Sequence, residues 1–221
     1  MAYCNLGQAL CEQGRFTEAR ESLHRGHVLG SKIAGWPHPS ARWLKNAERL
    51  VQLDARAPKI LKGDEKPSSP AEQIELARMC HRYKKLYTAA VRLYSDAFTA
   101  QPLLAEDISS ANRYNAACAA ALAGCGQGLD AGGLNRKDRT HLREQALGWL
   151  RADLIQWSKL LEKDPKQARA RVRQLKQWQK DADLAGIRGA EALAKLPEAE
   201  RHEWQQLWAE VAQMSEQTQR E

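Results

Sequence analysis

The chain has 221 residues, 43% of them hydrophobic and 28% charged, a composition that excludes a disordered chain and supplies a core for one elongated or two compact units. Its longest uncharged apolar run, residues 116–123, is eight residues, far short of the roughly 20 that cross a bilayer, and Glu12 and Arg15 break any secretory signal, so a cytoplasmic protein with no membrane partner is expected. Lys and Arg number 34 against 27 Asp and Glu, a net charge of +7 that favours acidic partners without identifying them.

Proline and glycine divide the sequence into segments with a 3.6-residue apolar period and no alternating strand, which predicts an all-α fold. Residues 2–12 and 16–29 form a first helix pair, followed by the turn-rich "GSKIAGWPHPS". Pro39 sits where a first helical residue tolerates proline, and Trp43, Ala47, Leu50 and Val51 mark one face of a third helix. "RAPKILKGDEKPSSP" then shifts the composition towards proline and charge, and residues 58–69 are expected to be a linker or mobile loop. Residues 70–84 and 87–100 read as another pair closed by Pro102, and 108–124 as an Ala-rich helix able to pack closely. After the Gly-rich "GCGQGLDAGGLNRKD", a long helix runs from about 139 to 162, Asp164 opens a basic helix with Pro165 in its first turn, and Pro197 starts the last one. In that last helix Trp204, Leu207, Trp208 and Val211 make one apolar stripe. Four regions follow: 1–57, a hairpin plus an extra helix; 58–69; 70–165, degenerate hairpins with the Gly-rich insertion; and 166–221, basic and capping helices.

The five cysteines, Cys4, Cys11, Cys80, Cys118 and Cys125, include no C-x-x-C and are read as reduced, buried small apolar residues. Cys80 and His81 are adjacent, so on a helix they point about 100° apart and do not make a metal site.

Tyr3, Leu6, Gly7, Leu10, Gly14, Phe16, Ala19, Leu23 and Gly26 carry the spacing of a helix–turn–helix repeat of about 34 residues. Gly7, Ala19 and Gly26 must be small if the two helices cross closely, while Tyr3, Leu10, Phe16 and Leu23 are expected to fill the space between neighbouring pairs. Tyr87, Ala90, Tyr94, Ala97 and Pro102 repeat the second half of the pattern; Leu76 and Ala77 fit its first half with one residue inserted around "RYKK". A degenerate third copy holds Tyr114, Ala117, Cys118 and Ala121, with Ala146 and Leu150 in its second helix. The chain thus resembles the tetratricopeptide repeat over residues 2–102 and, more weakly, to 165. "NLGQALCEQGRFTEA", "RYNAACAAALAGCGQG" and "LPEAERHEWQQLWAEV" are in addition similar to the C-terminal repeat region of large bacterial serine/threonine protein kinases. The resemblance implies a right-handed α-solenoid with C-terminal capping helices, repeats ahead of Met1 in a parent protein or an associated chain, and an attached or associated kinase as a partner.

Catalytic motifs are absent from the sequence: it has no Val-Ala-Ile-Lys, His-Arg-Asp or Asp-Phe-Gly, and no Gly-x-Ser-x-Gly elbow. "GCGQG" follows a helix instead of a strand and lacks a Lys-Ser or Lys-Thr, so an ordinary helix-ending loop accounts for it, and His202-Glu203 lacks the second His of a metalloprotease helix. A non-enzyme with no cofactor and no metal is expected, binding a protein or peptide. The repeat family's inward-facing positions fall on Met1, Cys4, Gln8 and Cys11, on Ala71, Ile74, Arg78 and His81, and on Asn112, Asn115, Ala119 and Leu122. Gln8, Arg78, His81, Asn112 and Asn115 are then the candidate groove residues, their amides and guanidinium suited to an extended peptide; a solvated helix face explains Arg78 and Asn115 equally well. A basic stripe of Lys166, Arg169, Arg173, Lys176 and Lys180 in "KQARARVRQLKQWQK" could meet an acidic protein or, as the alternative function, nucleic acid, although without interleaved aromatics a solvated capping helix is favoured.

Overall fold

Periodicity of 3.6 residues leaves helices as the way to bury these apolar stripes, and the computed structural model bears this out: it describes residues 1–220, without the side chains of 169–173 and 218–220, and its regular elements are all helical. The chain divides into two units, Met1–Lys85 and Leu86–Glu221, and no described helix is long and apolar enough to cross a membrane.

In the first unit, α1 (Ala2–Glu12) and α2 (Phe16–Gly30) pack through their small residues. A Cβ added at Gly7 would lie 2.5 Å from Leu23 Cγ, and one at Gly26 would lie 2.5 Å from Cys4 Sγ, so the crossing needs glycine at both places. Gly14 makes the turn between them at φ 74, a left-handed conformation that glycine adopts without steric cost. Leu10, Phe16, Ala19 and Leu23 are buried as expected, but Tyr3 is 42% exposed: its face of α1 is not covered by the elements packed in this unit.

The third helix, α3 (Ser40–Lys62), runs through the start of the expected linker with Pro58 in its interior. Pro58 removes one backbone donor from the helix, yet the buried stripe of Ala47, Leu50, Leu53, Ala57 and Ile60 continues past it at helical intervals, and this burial holds the last turn. Gly63 (φ 89) ends the helix. The loop that follows is held by Arg56, whose Nε donates to Glu65 Oε1 at 2.5 Å and whose Nη1 donates to Glu72 Oε1 at 2.6 Å. α4 (Pro70–Met79) starts with Ser69 as its cap, the hydroxyl accepting from Glu72 N at 3.2 Å. It runs into a π-helical turn, Cys80–Lys84, that ends at Lys85 with φ 53. A π turn holds one residue more than an α turn, and it falls on the "RYKK" segment where the repeat spacing needed an insertion. Phe16 meets Tyr83 edge-on there, with ring centres 5.4 Å apart.

In the second unit, α5 (Tyr87–Ala100) and a single turn, α6 (Leu103–Glu106), precede α7 (Asn112–Gly124). The Ala-rich helix therefore begins later than predicted, because residues 108–111 form a turn in which Asp107 Oδ1 accepts from Ser109 N at 2.9 Å. From Ala116 to Ala123 every residue of α7 is buried, with α5, α8 and a 3-10 turn packed around it; a helix apolar on all sides belongs in such a core. The Gly-rich loop serves structure: Asp130 Oδ2 accepts from Ala89 N at 2.9 Å, capping α5 from far along the chain.

The long helix α8 (Arg136–Lys163) begins three residues before its predicted start, at a capping box in which Asn135 and Asp138 satisfy each other's backbone N–H. α9 (Pro165–Trp178) opens with Asp164 accepting from Gln167 N at 3.0 Å. The 3-10 turn Ala182–Ile187 and the single turn α10 (Ala190–Leu193), neither expected from sequence, lead to α11 (Glu198–Arg220). Trp204, Leu207 and Val211 are fully buried, while Trp208 is half-buried and donates from Nε1 to Ile187 O at 2.7 Å. The buried Arg143 donates to Glu200 Oε2 at 2.9 Å and to Gly124 O at 2.6 Å, linking α7, α8 and α11.

Candidate functional site

Helical spacing brings one set of side chains together inside the second unit. α8 presents Asp153 and Trp157, one turn apart; α9 presents Gln174, Gln177 and Trp178; α7 and the turn before it present Ile108, Ala111, Tyr114 and Asn115. These residues line a cavity of about 220 Å³. Its rim is set by the turn ahead of α7, where Ala111 takes the left-handed conformation (φ 53) and Asn112 Nδ2 donates to Leu104 O at 2.9 Å.

Tyr114 and Trp178 stack with ring centres 5.2 Å apart and planes 14° from parallel. The Tyr114 hydroxyl donates to Asp181 Oδ2 at 2.7 Å, and Asp181 Oδ1 accepts from Asp183 N at 3.0 Å, so the phenol is tied to the cap of the 3-10 turn. Burial, then the neighbouring Cys118 and Asp181, hold this phenol far above its ordinary range. It acts as a fixed wall and hydrogen-bond donor.

Asp153 is the unusual member. It is 3% exposed and sits on the stripe that Leu150, Leu154 and Trp157 make apolar. Arg113 of α7 is its ionic partner, Nη1 standing 3.2 Å from Oδ1, but the two atoms are not aligned for a hydrogen bond, and neither has a hydrogen-bond partner among the described residues. Burial pushes the carboxyl up to about 7, and the pull of Arg113 in the opposite direction offsets only part of this.

The sequence-derived groove residues are distributed differently from the expectation. Gln8 is exposed on α1, Arg78 is exposed near the end of α4, and His81 is half-buried in the π turn; all three belong to the first unit. Cys4, Cys11 and Ile74, also expected to face inward, are buried, Cys4 against Gly26. Asn112 is a further correction: it is buried at the start of α7, where its amide serves the turn from α6. Ala119 and Leu122 are buried too, since α7 is covered on the sides where an open groove was expected. Asn115 alone of the five candidates lines the cavity. In the basic stripe, Lys166 and Lys180 are exposed and Lys176 half-buried, while the side chains of Arg169 and Arg173 lie outside the described residues.

Tyr114, Asp153, Trp157 and Trp178 were not singled out as site residues from sequence. Asp153 did leave a signal, an acid in the middle of an apolar helical stripe. Cys4, Cys11, Cys80 and Cys118 are buried and Cys125 half-buried, all as free thiols, and burial raises the Cys118 thiol well above its ordinary value. Among the described residues, no group of three or more His, Cys, Asp or Glu is placed to hold a metal ion. The chain matches no family model, no curated protein and no solved structure.

Proposed function

We propose that this chain is a non-catalytic helical interaction module of the tetratricopeptide-repeat type, and that its second unit receives a side chain of an extended peptide in the cavity between α7, α8 and α9. The observation that carries the reading is the cavity itself: aromatic and apolar walls with Asn115 and a few other polar groups are what a side-chain pocket needs to combine affinity with orientation. The close α1–α2 crossing at Gly7 and Gly26 and the π turn at the point where the repeat spacing needed an extra residue support the repeat reading, and with it a right-handed solenoid. The sequence resemblance to the repeat region of bacterial serine/threonine kinases is what points to an attached or associated kinase in the cytoplasm as the source of such a peptide. The exposed Lys166 and Lys180 are not part of the cavity lining and are read as a solvated face.

A displayed random-peptide library panned on the full chain tests this. Enriched peptides should bind the chain saturably, lose affinity with Asn115→Ala, and depend only mildly on salt. A log-log salt slope of several units with nucleic acid, and no peptide enrichment, would replace this reading with phosphate binding.

A further inference from the structure

We propose that the cavity between α7, α8 and α9 is a subsite for a primary ammonium group on an alkyl stem, the lysine side chain of a bound peptide, with Asp153 as its counter-ion. The inference rests on the peptide-binding reading above and deepens it.

The size fits one side chain. Drug-sized ligands occupy pockets of roughly 300–1,000 Å³, and this cavity holds about 220 Å³. Its walls are mainly apolar, with Ile108, Trp157 and the stacked Tyr114 and Trp178 placed to cover a methylene stem.

The charge fits a cation. Among the described residues lining the cavity, Asp153 is the single carboxylate, and there is no Lys, Arg or His. Arg113 meets this carboxyl from outside the lining as an ion-pair partner but is out of line for a hydrogen bond, so among the described residues Oδ1 is a buried acceptor without an aligned donor. Such an atom is a standing cost that a donor arriving with the ligand removes. A positive donor removes more of it than a neutral one: the carboxyl resists ionisation because it is buried, and a cation beside it restores the charged form. Aromatic side chains around the same space add a second attraction for cations.

The test uses the full chain with two small probes, n-butylammonium chloride and n-butanol, at ionic strength matched with sodium chloride, and follows the indole N–H signals of Trp157 and Trp178 by NMR. The ammonium should shift both signals saturably and bind at least about tenfold more tightly than the alcohol, a difference of about 1.4 kcal/mol. Equal binding of the two probes, or no shift of either indole by the ammonium, overturns the proposal. Asp153→Asn should abolish the preference; should that variant fail to fold with Arg113 left unpaired, the comparison of probes on the unaltered chain decides. A peptide enriched by panning gives the second arm. Replacing its lysine with norleucine should weaken binding about tenfold or more; unchanged affinity overturns the ammonium subsite while leaving peptide binding in place. Ammonium binding in the absence of any enriched peptide supports the subsite and overturns the peptide reading.

Discussion

Acidification offers the sharpest test of what holds the first unit together, through the carboxylate of Glu72. This side chain is 3% exposed and bonded on several sides: Ser68 N donates to Oε2 at 2.6 Å, and Arg49 Nη2 and Arg56 Nη1 donate to Oε1 at 3.0 and 2.6 Å. Glu75 and Glu65 pair with the same two arginines. Burial alone would raise the carboxyl, but the Ser68 and arginine hydrogen bonds prevail and bring it down to about 2. A folded value below the unfolded one of about 4.3 contributes stability that is complete above the unfolded value and is lost as pH falls through the folded one. Each pH unit of difference corresponds to about 1.4 kcal/mol, so the network contributes up to about 3 kcal/mol at neutral pH, disappearing between about pH 4.5 and 2. The assay is denaturant unfolding of the unaltered chain and of Glu72→Gln from pH 7 to 2, read at Trp43, whose indole reports on α3 in the same unit. The stability gap between the two should be about 2–3 kcal/mol at pH 7 and should close on acidification. A gap that stays constant down to pH 2 would mean that the loss comes from shape and not from charge.

Three further substitutions probe other parts of the fold. Gly7→Ala should destabilise the chain by about 1–3 kcal/mol in thermal or denaturant unfolding: although alanine is the better helix former, its Cβ would stand 2.5 Å from the Cγ of the buried Leu23 and 3.0 Å from the Ala19 carbonyl oxygen. Asp130→Ala removes the remote cap on Ala89 N and should cost about 1 kcal/mol, seen as faster hydrogen exchange of the Thr88 and Ala89 amides. Arg143→Met strands the half-buried Glu200 and should cost about 3 kcal/mol, whereas Arg143→Met combined with Glu200→Met should recover most of it, measured by denaturant unfolding.

Much of the fold is legible in the sequence because helices declare themselves locally. The 3.6-residue stripe of Trp204, Leu207 and Val211 places the buried face of α11 without any knowledge of its neighbours, and the run of alanines in α7 foretells close packing, though not that every side is covered. Boundaries are read less well where one residue type sends a misleading signal. Pro58 reads as a stop, yet Ala57 and Ile60 keep α3 going because their burial outweighs the lost hydrogen bond. Asn135 and Asp138 form a capping box in "NRKD" that a glycine-rich context obscures.

Of the five candidate groove residues, Asn115 lines the cavity. The inward positions implied by the repeat resemblance include Asn115, which lines the cavity, but also Asn112, Ala119 and Leu122, which the other helices cover. Those positions assume an open concave face, and α7 has none along that length. The remaining lining could not be reached locally, because Tyr114 meets Trp178 and Asp181 only after α8 and α9 have folded back. Asp153 is different, since a charge on an apolar stripe is a local anomaly that can be searched for in any helix.

Whether a peptide side chain enters the cavity is decided by titrating the full chain with a library-selected peptide while following every tryptophan indole N–H signal by NMR. Saturable shifts of Trp157 and Trp178, which line the cavity, are expected, with the signals of Trp36 and Trp43 in the other unit moving little. Tight binding that leaves Trp157 and Trp178 unmoved would contradict entry of the side chain.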